Sequence, residues 1–168
     1  MSNLEIYQEK EHPNPFIPLF SQACTTLSIP HNEEIENNFR KITNLALILN
    51  RSFFNFLERK PPSNLTPNEP VIFFRKVDKS FLKLEIYLGK ITDIEKISTQ
   101  IICCYLGTIH FENYTALCQL NEFNINNPKE ESLVKFYLHP KETNIFSLKN
   151  PNLNPANQDF PLSTKSSL

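Results

Sequence analysis

Five residues with metal-binding side chains lie within one stretch of the chain: Cys103, Cys104, His110, Cys118 and His139. Zinc would need three or four such side chains to converge on one point. Cys103 and Cys104 are consecutive, so in a strand their side chains point to opposite faces and cannot both bind one ion. We therefore predict no metal ion and no cofactor. We interpret the four cysteines, Cys24 included, as reduced residues of the core.

One pair of residues could support acid–base chemistry. His110 and Glu112 are two apart in an extended segment, so their side chains share a face. No third group that would orient them is identifiable, and no serine or cysteine lies on a glycine elbow. The only glycines, Gly89 and Gly107, cannot form a phosphate-binding loop. These observations predict that the protein is not an enzyme.

The charge pattern disfavours nucleic-acid binding. The formal net charge is −1, and the most basic stretch holds Arg75, Lys76 and Lys79 around an acidic residue. Generic binding to nucleic acid needs a basic face that neutralises phosphates, whereas this stretch is typical of a solvated hairpin turn. Nucleic-acid binding through these three residues is therefore the weakest of our functional hypotheses.

The sequence also disfavours a membrane location. The N-terminal MSNLEIYQEKEHPNP lacks the basic start and apolar centre of a signal peptide. No run approaches the roughly 18 to 20 apolar residues that a transmembrane helix needs. We therefore expect a cytoplasmic protein with no membrane span.

A long helix is the strongest structural signal. Asn32 is a good N-cap, acidic residues follow it, and Pro61 and Pro62 end the pattern. Between them apolar residues recur at spacings of four and three: Ile35, Phe39, Ile42, Ala46, Leu49, Phe53 and Phe56. The second half, NLALILNRSFFNFLERK, is apolar on nearly every face, because Leu47, Phe54 and Leu57 lie beside this stripe.

The rest of the pattern predicts an antiparallel sheet. Residues 71–77 and 81–88 form a hairpin, and the runs TQIICCYLGTIHF and NYTALCQLNEF form two further strands. A capping-box sequence at Thr92 predicts a short helix, and Pro128 with acidic neighbours predicts a C-terminal helix over 128–139. The predicted fold is α+β: a long N-terminal helix packed on a four-stranded antiparallel sheet, with a short and a C-terminal helix.

The predicted organisation has three parts. Residues 1–31 form an extended, proline-containing arm, residues 32–148 form a single α+β domain, and residues 149–168 form a disordered tail. The sheet can cover only one side of the long helix. The other side needs the arm, the C-terminal helix or a second protein, and in so short a chain we expect a partner.

These observations predict a non-enzymatic protein-binding module. The predicted contact residues lie on the arm and on the outer face of the helix: Phe16, Ile17, Leu19, Phe20, Leu47, Phe54 and Leu57. The partner is another protein, or a second copy of the chain. The alternative is a small enzyme or ligand-binding domain with a pocket between helix and sheet near Cys118 and His110.

The order of elements over residues 32–139 resembles that of bacterial secretion chaperones and adaptors, in which a long N-terminal helix, an antiparallel sheet and a C-terminal helix follow one another. Those proteins have no active site and present apolar helix or sheet surface to a partner subunit or an effector segment. The resemblance implies an adaptor or chaperone function, and it assigns no role to any single residue of this chain.

Overall fold

A computed structural model describes residues 4–7 (backbone only), 14–49, 52–53, 65–77, 83–95, 98–112, 115–121, 133–139, 142–149 and 151. These residues form two helices, α1 (Ile17–Leu27) and α2 (Glu33–Leu49). They also form seven strands: β1 (Leu4–Tyr7), β2 (Pro70–Lys76), β3 (Lys83–Ile94), β4 (Thr99–Glu112), β5 (Thr115–Leu120), β6 (Leu133–Leu138) and β7 (Ile145–Ser147).

The seven described strands belong to one antiparallel sheet in the order β1-β5-β4-β3-β2-β7, with β6 also paired to β4. The long strand β4 carries two partners on the same edge, β5 along residues 107–112 and β6 along residues 99–104. The predicted α+β class with an antiparallel sheet is therefore confirmed. The predicted number of four strands is wrong, because strands at both ends of the chain extend the sheet.

Helix α2 begins where the sequence predicts. The side chain of Asn32 accepts a hydrogen bond from the Ile35 amide at 2.9 Å, which satisfies one of the free donors of the first turn. The described helix runs to Leu49, and Ser52 and Phe53 are also helical. The rest of the predicted helix, up to Lys60, lies outside the described residues.

The prediction of an extended arm is wrong for Ile17–Leu27, which form α1. Pro18 lies in the first turn, where a missing amide hydrogen costs nothing because it would have no partner within the helix. The helix ends at Ser28, whose left-handed conformation (φ 58°) lets its amide donate to the Thr25 carbonyl. The prolines therefore mark the start of a helix.

The two other predicted helices are wrong. Leu133–Leu138 form strand β6, and Thr92 lies within β3, which continues to Ile94. In both cases pairing with β4 overrides the local helix signal: Ile94 pairs with Thr99, and the Thr92 hydroxyl donates to the Gln100 carbonyl at 3.2 Å. The residues near the predicted N-cap of the C-terminal helix lie outside the described part of the chain.

Both helices cover the same face of the sheet. Helix α1 packs on β3 and β4, and the rings of Phe20 in α1 and Phe39 in α2 lie 4.8 Å apart. The buried Asn14, just before α1, donates to Thr43 Oγ1 at 2.5 Å and to Asn44 Oδ1 at 2.8 Å, which fixes α1 to α2. Leu47 is buried within this shared core, so the chain itself covers that part of α2.

The other face of the sheet is apolar as well. Phe73 of β2 and Phe136 of β6 have ring centroids 5.0 Å apart, although β3 and β4 lie between their strands. In a flat sheet three strand spacings would separate them by about 14 Å. The sheet therefore curls toward this side, which we call the concave face. Its aromatic cluster comprises Phe73, Tyr87, Tyr105 and Phe136.

Candidate functional site

A polar row crosses the concave face beside the aromatic cluster. Arg75, Glu85, Thr108 and Gln119 are cross-strand neighbours in register on β2, β3, β4 and β5. Arg75 Nε donates to Glu85 Oε1 at 2.7 Å, and the Tyr87 hydroxyl donates to the same oxygen at 2.9 Å. Burial, and then this bond to a carboxylate, raises the pKa of Tyr87. The hydroxyl is therefore a neutral donor at physiological pH.

The next row holds the only described side chain with a buried polar atom that lacks a hydrogen-bond partner. His110 lies between Lys83 of β3 and Leu117 of β5, and its Nε2 atom is buried with no partner among the described residues. Buried polar atoms are nearly always paired, so an orphaned ring nitrogen calls for a water or a ligand atom. Lys83 is exposed beside it.

This arrangement does not form the dyad that the sequence hypothesis considered. His110 and Glu112 do lie two apart on β4, yet no hydrogen bond joins them in the described part of the chain. Glu112 is exposed at the end of the strand, and the groups across from His110 are Lys83 and Leu117. The row places the His110 ring nitrogen, which can form a hydrogen bond, beside Lys83. This arrangement is suited to binding a polar ligand.

The alternative hypothesis was a pocket between helix and sheet near Cys118 and His110, but these two side chains do not face a common space. Cys118 pairs with Ile109 and is buried in the core on the helix side, whereas His110 alternates to the concave face. The two side chains therefore lie on opposite sides of the sheet.

The cysteines follow the same alternation. Cys103 lies in the concave-face core and Cys104 in the helix-side core, as the strand period predicts. All four cysteines are buried, and burial raises the pKa of Cys24 and of Cys104 to about 12. Among the residues that the structure describes, no three histidine, cysteine or acidic side chains group in a way that could hold a metal ion.

Three of the seven predicted contact residues are buried inside the protein. Phe16, Phe20 and Leu47 are buried in the helix-side core, so they face the protein's own sheet and helices. Ile17 and Leu19 are partly buried against the same core. The remaining two predicted contact residues, Phe54 and Leu57, lie outside the described residues.

Two exposed apolar side chains instead occur at one corner of the sheet. Tyr137 on β6 is 67% exposed and Ile94 at the end of β3 is 40% exposed, and because their cross-strand rows are adjacent on β4 the two side chains point to opposite faces of the sheet. Asp93 and Lys135 are exposed beside them. We call these four residues the β6 corner. Sequence reasoning missed it by treating 128–139 as a helix, although Val134, Phe136 and Leu138 alternate as in a strand.

No family model, no curated protein and no solved structure matches this chain. No helix in the described segments is long and apolar enough to cross a membrane. The β6 corner and the concave-face polar rows are the features of the described structure that bear on function.

Proposed function

We propose that the protein is a non-enzymatic, cytoplasmic protein-binding module, an adaptor subunit or a chaperone, that contacts its partner through the β6 corner. One observation carries the proposal: Tyr137 on the edge strand β6 is 67% exposed, more than any other large hydrophobic side chain that the structure describes. Tyrosine is enriched at protein interfaces because its ring buries apolar area while its hydroxyl stays hydrogen-bonded.

The backbone of β6 supports the same conclusion. One edge of the strand pairs with β4, and no described strand pairs with the other edge. An edge of this kind offers a row of backbone donors and acceptors to an extended segment of a partner protein. Lys135 and Asp93 provide charges of both signs on the same face of the sheet as Tyr137, as in the polar rim of an interface.

The test is to replace Tyr137 with glutamate and to compare its complexes with those of the wild-type protein. We expect the Tyr137→Glu variant to bind its partner at least about thirtyfold more weakly, which corresponds to the roughly 2 kcal/mol of an aromatic hot spot. Stability should change by only about 0.5 kcal/mol, because the side chain is exposed. Capture from extract of the native cell, followed by titration with the purified partner, measures the difference.

Val77→Glu is the matched control. Val77 is another exposed large hydrophobic residue of the described chain, at 41%, and it lies at the end of β2, away from β6. This variant should bind the partner like the wild type. Equal loss of binding in both variants, or no loss in Tyr137→Glu, would contradict a contact at the β6 corner.

A second candidate function is the binding of a small polar ligand on the concave face. The observation that favours it is the orphaned Nε2 atom of His110, with the Lys83 ammonium in the same row and Thr108 in the neighbouring row. A ligand with a carboxylate or hydroxyl group could hydrogen-bond to the ring nitrogen and lie beside the ammonium group. This candidate site lies on the concave face, whereas the pocket suggested by the sequence would lie between helix and sheet.

Thermal unfolding in the presence of small carboxylates and polyols tests this second candidate. At a ligand concentration one hundred times the Kd, binding should stabilise the wild-type protein by about 2.7 kcal/mol. His110→Leu should abolish that stabilisation. In the absence of ligand the same variant should be as stable as the wild type or more so, because it removes an unpaired buried atom. A clear loss of stability without ligand would show that Nε2 has a structural partner.

A further inference from the structure

Strand β6 leaves a step in the edge of the sheet. Strands β5 and β6 lie end to end along the same edge of β4, and the backbone of β1 adds one further strand over β5 but not over β6. Among the described strands, none pairs with the outer edge of β6. A strand of a second molecule that pairs with β6 would fill this step and leave the β1–β5 pair in place.

The side chains of β6 define what such a strand must carry. Val134, Phe136 and Leu138 belong to the concave-face core or pack against it. Lys135 and Tyr137 alternate with them, so they lie on the helix side of the sheet, where both are exposed. A strand beside β6 therefore needs apolar side chains on the concave side. On the helix side it needs groups that are compatible with an ammonium group and an aromatic ring.

A second β6 strand meets this requirement. When two copies pair antiparallel about a twofold axis normal to the sheet, residues opposite each other share a face, so the axis passes through a residue of β6. An axis at Phe136 places Lys135 of one copy opposite Tyr137 of the other, and Val134 opposite Leu138. Both pairs are favourable, because an ammonium group is attracted to the face of a tyrosine ring and the apolar side chains face each other.

The two neighbouring registers are less favourable. An axis at Lys135 places the ammonium groups of the two copies opposite each other, and like charges directly opposite are destabilising. An axis at Tyr137 places Lys135 opposite the exposed His139 of the other copy and pairs fewer residues of the strand. The register centred on Phe136 is therefore favoured.

We infer that the partner at the β6 corner is a second copy of this chain, and that the two copies join their β6 strands antiparallel with Phe136 opposite Phe136. This inference rests on the proposed contact through the β6 corner and identifies the partner. The result is one continuous sheet with a closed twofold interface, in which the same strand serves both copies. The exposed Tyr137 side chain is then covered by Lys135 of the other copy.

Two single-cysteine substitutions test both the dimer and its register in the full-length chain. Lys135→Cys and Tyr137→Cys each replace an exposed side chain, so both variants should fold, and the native cysteines are buried and do not compete. One variant carries a tag that changes its mobility on a denaturing gel. In the favoured register the two new cysteines of a mixed dimer lie directly opposite each other, within disulfide distance. Two copies of the same variant place them on a diagonal, roughly 7 to 8 Å apart.

After mild oxidation of the mixture, we expect at least about fivefold more disulfide-linked heterodimer than homodimer of either variant, because a diagonal pair lies beyond the usual span of a disulfide. The gel is run without reductant, and the tag separates the three covalent species.

Val77→Cys mixed with Tyr137→Cys is the control for random collision, because Val77 is exposed at the end of β2, away from β6. If Lys135→Cys and Tyr137→Cys give no more heterodimer than this control, a second copy is not the partner. If either variant alone gives as much homodimer as the mixture gives heterodimer, the register centred on Phe136 is wrong.

Light scattering on the purified chain separates this inference from the proposed function. We expect the wild-type protein to dimerise as its concentration rises and Tyr137→Glu to stay monomeric over the same range. A wild-type protein that is monomeric at every concentration would overturn the inference. The proposed function would survive that result if Tyr137→Glu loses a different protein that the wild type captures from extract, and it would fail together with the inference if the substitution changes neither.

Discussion

Replacing Phe53 with alanine should lower the free energy of unfolding by about 3 to 5 kcal/mol. The Phe53 side chain is fully buried, and its ring packs edge-on against Phe74 of β2 at 4.9 Å and lies 6.4 Å from Phe146 of β7. Truncation removes a large apolar surface and leaves a cavity bounded by two rings that β2 and β7 hold in place, so the core cannot easily collapse to fill it.

Ser52→Ala is the matched control for this prediction. Ser52 precedes Phe53 in the same helical stretch and is exposed, so its replacement should change stability by no more than about 0.5 kcal/mol. Urea unfolding of both variants measures the difference. A cost below about 1 kcal/mol for Phe53→Ala would show that this end of the apolar stripe is not packed on the sheet.

The sequence predicts the parts of this fold that depend on strong periodicity. The stripe from Ile35 through Phe53 predicts α2 and its buried face, and Asn32 predicts its N-cap. The alternation around Leu84 and Ile86 predicts the face of β3 that the helices cover. In each case burial, local propensity and backbone pattern agree, so the local sequence is enough to predict the element and its buried face.

The sequence fails where long-range pairing decides the outcome. A proline in the first turn of a helix and a proline in an extended segment give the same local signal, and only the packing of Phe16 and Phe20 on the sheet selects α1. For Leu133–Leu138 the acidic, proline-initiated segment before it favours a helix, yet the free edge of β4 selects a strand. The sheet surface on which α1 packs and the edge of β4 with which β6 pairs are both distant in sequence, so the local sequence does not reveal them.

The candidate surfaces were predictable only in part. Strand alternation correctly separates Cys103 from Cys104 and puts His110 on one face of β4. The β-bulge at Leu106, where Ile86 pairs with Gly107 and Tyr87 with Tyr105, changes which residues share that face. The curl of the sheet then brings Phe136 to Phe73. Both effects depend on how distant strands meet, so spacing along one strand cannot reveal them.

The roles of the two glycines also depend on how neighbouring strands meet, which the local sequence does not show. Among the described non-glycine residues, Asn68 and Ser28 adopt left-handed backbone conformations, which glycine would otherwise adopt most easily. Gly89 and Gly107 lie within β3 and β4, where glycine allows two strands to approach closely. Gly89 pairs with Cys103, and a Cβ atom on it would lie 2.5 Å from both Cys103 Sγ and the Ile102 carbonyl oxygen.

Gly89→Ala should therefore destabilise the protein by about 3 kcal/mol, at the upper end of the range for overpacked cores, because a backbone carbonyl cannot rotate away as a side chain can. Adding Cys103→Ala removes the Sγ contact and leaves the Ile102 contact, so the double variant should recover only part of the loss. Urea unfolding of the two single variants and the double variant gives the coupling energy directly. A Gly89→Ala protein as stable as the wild type would mean that β3 and β4 do not approach this closely at Gly89.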